Sequence, residues 1–164
     1  MALRLDEADV LPFDYAAYAA TISRVTNDLV SRASQLGMQS ASLQSISDAS
    51  ARLTASATRA SHALQHMDIA SFDAAKQNQI NHELASVEQA LLAPEGLVGR
   101  PWYKHTIYAP GSYAGYAAEV LPGVNEALDR DDAVVFQQEG ASLAAALLRA
   151  SARLDEITKL ADSK

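Results

Sequence analysis

Cysteine is absent from this 164-residue chain, which excludes a disulfide framework and any thiolate metal site. Glycine and proline are scarce, at 7 and 5 residues, so long uninterrupted helices are open to it. Aromatic residues make up only 6%, and four of the six tyrosines (Tyr103, Tyr108, Tyr113 and Tyr116) fall after residue 100. Basic residues are outnumbered: the formal net charge is −7, and no basic run reverses it. Such a chain repels nucleic-acid phosphates and anionic lipid heads, so neither is expected as a partner. No stretch approaches the roughly 20 apolar residues of a membrane-spanning helix. The first nine residues mix charges with leucine and lack a signal-peptide core, so an export signal is expected only on a longer precursor.

What is present is hydrophobic mass, 49% of the chain, much of it alanine. Alanine favours helix while adding little core volume. After Pro12, Asp14 is a candidate helix cap, and Tyr15, Tyr18, Ile22, Val25, Leu29, Ala33 and Leu36 then recur at three- and four-residue steps. Gly37 is placed to end that helix. A second helix is predicted over Leu43 to Met67, with serine, threonine and alanine on its remaining faces. Small residues permit close helix approach, so packing on more than one side and plain alanine-rich composition are equal readings. A third is predicted from about Ser71 to Leu92, a short one at Val124 to Leu128, and a last one after Asp131 or Asp132, with Gly140 as a weak point. No strand pattern competes. The expected fold is all-α: an up-and-down bundle of four main helices, one domain over residues 1–164, with a long ordered crossover loop over residues 93 to 123.

Catalytic chemistry is hard to assemble from these residues. His62 and His66 share a helix face at the spacing of two zinc ligands, but no carboxylate completes the set, and solvent-facing histidines are the better reading. His82-Glu83 begins a zinc-protease helix motif that fails at Ser86, where the second histidine belongs. Gly111-Ser112-Tyr113-Ala114-Gly115 misplaces its serine for a nucleophile elbow. Asp131 and Asp132 sit where caps sit. No catalytic residue and no metal ligand is assigned to this chain.

Three segments, in order, carry a resemblance. Val10-Leu11-Pro12-Phe13-Asp14-Tyr15 with Tyr18-Ala19, the run Leu97 to Pro110 (LVGRPWYKHTIYAP), and Tyr116 to Leu128 (YAAEVLPGVNEAL) resemble the dimerisation domain of the glutamate carboxypeptidase and transferrin receptor family of zinc peptidases. The resemblance implies a helical domain that follows a zinc-peptidase domain, contacts a second subunit and lends a loop to the catalytic pocket of its own chain. Zinc and the general base then belong to that catalytic domain, which these residues do not include. It implies an inactive chain whose partners are a second copy, met through helix faces, and the peptidase domain of the same parent, itself expected to be exported.

Tyr116 matches a family tyrosine that holds the substrate's terminal carboxylate, and Gly115 occupies the position of a family lysine that selects glutamate. Tyr108 to Ala117 is the implied docking segment, while Tyr113 is better read as a cap on the bundle end. The expected self-association surface is the small-residue face of the second helix with part of the last. The alternative is a non-catalytic, receptor-like interaction module of the same fold.

Overall fold

The computed structural model describes residues 9–38, 41–111 and 118–163. Asp14 accepts a hydrogen bond from the Ala17 amide and starts α1, Tyr15–Gln35. The helix ends in a left-handed turn: Gly37 has φ +73°, and the Met38 amide reaches back 2.9 Å to the Ala33 carbonyl. Helix α2 spans Ala41–His66, two residues earlier at its start than its apolar stripe suggests. The predicted start of the third helix needs correction. Ser71 lies in a short 3₁₀ turn, Ile69–Ser71, and α3 (Ala74–Ala90) begins behind the Asp73 cap, whose carboxylate accepts from the Lys76 amide. Helix α4, Pro122–Asp129, is longer than predicted because Pro122 fits its first turn. Asp132 caps α5, Ala133–Asp162.

The four long helices run up, down, up and down, as expected for the all-α bundle. Helix α5 packs on α2, α3 and α4, and α1 packs on α2. The α3–α5 pair is antiparallel: Glu83 meets Arg153, and Arg149 donates to the carbonyls of Ala90 and Leu92. Helix α3 therefore stops beside the middle of α5. Its column is continued by the crossover and α4, which place Ile107, Leu121, Val124 and Leu128 in the common core.

The small residues of α2 explain how close its packing is. Ser42, Ala49, Ser56 and Ala63 recur every seven residues and are all buried. Ser42 lies against Gly140, where a Cβ would come within 2.9 Å of the Ser42 Cβ. Ser56 lies by Asp155, which also binds Arg52 and Arg59 at 3.1 and 2.7 Å. Gly140 is thus no weak point but a site of close approach between α2 and α5. Helix α2 is packed on two sides, against α1 and α5, so this part of its small-residue surface is used up within the chain and is not a free interface.

One further correction concerns strands. Tyr108–Pro110 (β1) and Ala118–Val120 (β2) form an antiparallel pair, with Tyr108 opposite Val120 and Pro110 opposite Ala118. Three residues are too few to display an alternating pattern in sequence.

Candidate functional site

The crossover is built from the backbone up. After α3 the chain folds back on itself: the Ala93 amide donates to the Lys104 carbonyl at 2.7 Å, Leu97 to Tyr103 at 2.9 Å, and Thr106 to Leu91 at 3.1 Å. Two side chains reinforce the fold-back, the Thr106 hydroxyl on the Leu91 carbonyl and the Lys104 ammonium on the Pro94 carbonyl. Gly96 is required here, since at φ +73° a Cβ would lie 2.3 Å from the Pro101 carbonyl oxygen.

His105 sets the start of β1. Its Nδ1 accepts from the amides of Ile107 and Tyr108 at 3.1 and 3.3 Å. An accepting Nδ1 puts the proton of the neutral ring on Nε2, which donates to Glu88 across 3.2 Å. Tyr18 closes the same corner. Burial first, then the Glu88 charge, pushes its hydroxyl well above the ordinary phenol range.

Arg100 ties the hairpin to the bundle. One arm of the guanidinium donates to the Pro110 carbonyl at 2.7 Å, and the other pairs with Glu126 on α4. The ion pair is nearly dry, with side-chain exposures of 16% and 6%. Tyr103 lies under Arg100, ring centroid 5.3 Å away, and Arg130 shares Glu126 at 2.9 Å. The second strand is held from the same helix: Asn125 donates to the Val120 carbonyl at 2.6 Å. Glu119, on β2, is pushed up by burial and by the charges of Glu126 and Asp129. Deeper in, buried Glu139 of α5 accepts from the Val98 amide at 2.6 Å, and its carboxylate fills the place a Cβ on Gly123 would take.

The hairpin thus has a fixed base, and positions 112–117 connect its strands. Tyr116, Gly115 and Tyr113 lie outside the described residues. Of the aromatics expected to order the crossover, Trp102 is 69% exposed and does little packing. Side chain-to-backbone bonds and the buried residues Leu97, Thr106 and Ile107 hold the segment instead. Sequence reasoning missed Arg100, Glu126, Glu139 and His105. Only Glu126 and Arg130 left a local signal, the i, i+4 spacing of an ion pair on one helix.

The described residues do not fit a zinc ion. The His62 and His66 rings stack with centroids 4.1 Å apart, and His66 Nδ1 is engaged by the His62 carbonyl at 2.8 Å. No group of three or more histidine or carboxylate side chains gathers among the described residues.

Comparison with known proteins matches this architecture to one family. Residues 41–155 fit the model of the transferrin receptor-like dimerisation domain. A probable glutamate carboxypeptidase of Arabidopsis thaliana is 36% identical over 132 residues, covering 79% of this chain and 18% of that protein. A probable glutamate carboxypeptidase of Zea mays is 28% identical over 165 residues, 94% of this chain and 23% of that protein. An inactive zinc metalloprotease of Schizosaccharomyces pombe is 37% identical over 70 residues, 43% of this chain and 9% of that protein. The chain spans about a fifth of the length of the first two relatives. With a family model covering well over half of its residues, on a bundle with the expected crossover, the chain belongs to the transferrin receptor-like dimerisation domain family, found in glutamate carboxypeptidase-like proteins.

Proposed function

We propose that this chain is the dimerisation domain of a zinc exopeptidase of the glutamate carboxypeptidase type, inactive by itself, and that its hairpin completes the substrate pocket of a catalytic domain elsewhere in the parent. Residues 1–164 act as one domain, and zinc belongs to that catalytic part. The observation that carries the reading is the clamped hairpin base: Arg100 joins the Pro110 carbonyl to Glu126, so the loop between the strands is presented from a rigid support. In this reading Tyr116 is the polar tip, its hydroxyl donating to the terminal carboxylate of a peptide. Gly115 offers no cation to an acidic side chain, so selection for glutamate is weak. A second copy binds through helix faces.

In the parent enzyme, Tyr116→Phe removes one hydrogen bond to a charged group, a loss of about 1.5–3 kcal/mol in kcat/KM for peptides with a free C-terminus. Gly115→Lys shifts preference towards peptides ending in Glu over those ending in Leu. Steady-state kinetics on both peptide classes test this. If Tyr116→Phe leaves every substrate unchanged, pocket completion is wrong and only dimerisation survives. The inactive relative of Schizosaccharomyces pombe favours a second reading, a receptor-like interaction module without catalysis. A parent sequence with no zinc-ligand set upstream decides for it.

A further inference from the structure

The ring of His105 stands between two structures that make opposite demands on it. On one side its Nδ1 accepts from the Ile107 and Tyr108 amides, 3.1 and 3.3 Å away, where the chain enters β1. On the other its Nε2 meets the Glu88 carboxylate across 3.2 Å, in the last turn of α3. An imidazole nitrogen accepts only while it carries no proton. The two amides therefore favour the neutral ring. Glu88 and the negative end of the α3 dipole favour the imidazolium.

Protonation thus has a defined structural cost. A proton on Nδ1 turns the acceptor into a donor that faces two further donors. Both amide bonds are lost, while the Glu88 contact is kept and becomes a full ion pair. Among the described residues the Ile107 amide has no other acceptor. The Ile107 side chain is buried in the core, so the residue cannot swing out to water without leaving it.

The groups around the ring come from several elements. Tyr15 and Tyr18 of α1 face Glu88, and burial first, then the Glu88 charge, holds both phenols well above their ordinary range. Tyr108 presents its ring, with centroids 6.2 Å apart. Lys104 is bound to the Pro94 carbonyl, and Arg149 of α5 to the carbonyls of Ala90 and Leu92. Of these residue types, histidine is the one that ordinarily changes charge between about pH 5 and 8.

We propose that His105 is a proton-controlled latch on the hairpin: neutral, it ties the entry of β1 to the end of α3, and protonated, it releases β1 and stays with Glu88. The other ties of the hairpin are the Arg100 guanidinium on the Pro110 carbonyl and the Leu121 amide on the Ile107 carbonyl. Both donors keep their protons at these pH values, so release loosens one corner and leaves the strand pair formed. Because β1 leads into positions 112–117, the latch sets how firmly that loop is presented to a substrate. This last step rests on the pocket-completing reading above.

Nitrogen NMR of the 164-residue chain, from about pH 8 to about pH 5, tests the latch. The ring is expected as the Nε2–H tautomer at high pH, and the Ile107 and Tyr108 amide signals should follow the titration of His105. Protection of the Ile107 amide against hydrogen exchange, corrected for the intrinsic rate, should fall roughly 2–10-fold across that titration, the worth of one hydrogen bond. His105→Asn supplies an oxygen for the same amides and cannot titrate, so its protection stays level. Glu88→Gln keeps an acceptor without the charge and moves the midpoint to lower pH. Circular dichroism checks that the variants fold, and the unsubstituted chain alone keeps the test decisive if they do not. An Nδ1–H tautomer at high pH, or amides that ignore the titration of the ring, overturns the latch and leaves pocket completion standing. In the parent enzyme, KM for peptides with a free C-terminus should rise, relative to His105→Asn, as pH falls through the same midpoint. A flat ratio beside intact NMR coupling overturns control of the loop; if Tyr116→Phe is also without effect, the failure lies in the pocket reading and not in His105.

Discussion

Glu139 shows how much one buried carboxylate constrains the crossover. Burial raises its affinity for a proton, the Val98 amide opposes this, and the net shift is upward. The folded chain therefore holds this proton more tightly than the unfolded chain. Its contribution to stability is complete below the ordinary carboxylate range and is lost as pH rises through the folded-state value. Glu139→Gln keeps an oxygen for the Val98 amide and cannot ionise. Relative to the parent, the variant should gain stability as pH is raised from about 4 towards about 7, followed by urea midpoints across that range. Parallel curves would remove the buried charge from the account. Glu119 shifts in the same direction and Asp155 in the opposite one, because Arg59 and Ser56 outweigh its burial, but both are common to the two proteins. Nothing near Glu139 in sequence announces its role. Its partner is 41 residues away, and a glutamate inside a long helix reads as solvent-exposed.

Helices α2 and α5 make the main packing contact of the bundle, and small residues are what make it possible. Gly140→Ala gains about 1 kcal/mol of helix propensity but forces a methyl against Ser42, an overpacking cost of about 1–3 kcal/mol, so the variant should be less stable. In a Ser42→Gly background the same alanine should cost less, and a double-mutant cycle in urea reads the difference. Equal cost in both backgrounds would mean that the two helices do not meet as described. The boundaries of these elements were legible where the determinant is local: Asp14 and Asp132 cap their helices, and Gly37 closes one. The boundary of α3 was misplaced because Ser71 and Asp73 are both capable caps and only the second is used. The heptad of Ser42, Ala49, Ser56 and Ala63 was legible as small residues but not as an internal seam, since composition does not say which neighbour comes close.

At the scale of the whole molecule, the bundle was legible from periodicity and the crossover from its prolines and glycines. The base of the hairpin was not, because Arg100 and Glu126 are 26 residues apart and each strand is three residues long. The absence of a converging donor set among the described residues carries a thermodynamic expectation. A chain whose fold does not depend on a bound ion should unfold at the same temperature with and without a chelator, and should retain no stoichiometric zinc after dialysis. Calorimetry and elemental analysis test this; a chelator-induced fall in Tm would reverse it.

The clamp beneath the hairpin also bears on how such a domain changes over evolutionary time. Its anchoring bonds run from Arg100 to the Pro110 carbonyl and to Glu126, and from Asn125 to the Val120 carbonyl, all outside positions 112–117. None of the donors and acceptors of these bonds is contributed by those six positions. If the pocket-completing role proposed above holds, the residues that support the hairpin and those that would meet a substrate are different ones, so a lineage can change the second set while keeping the first.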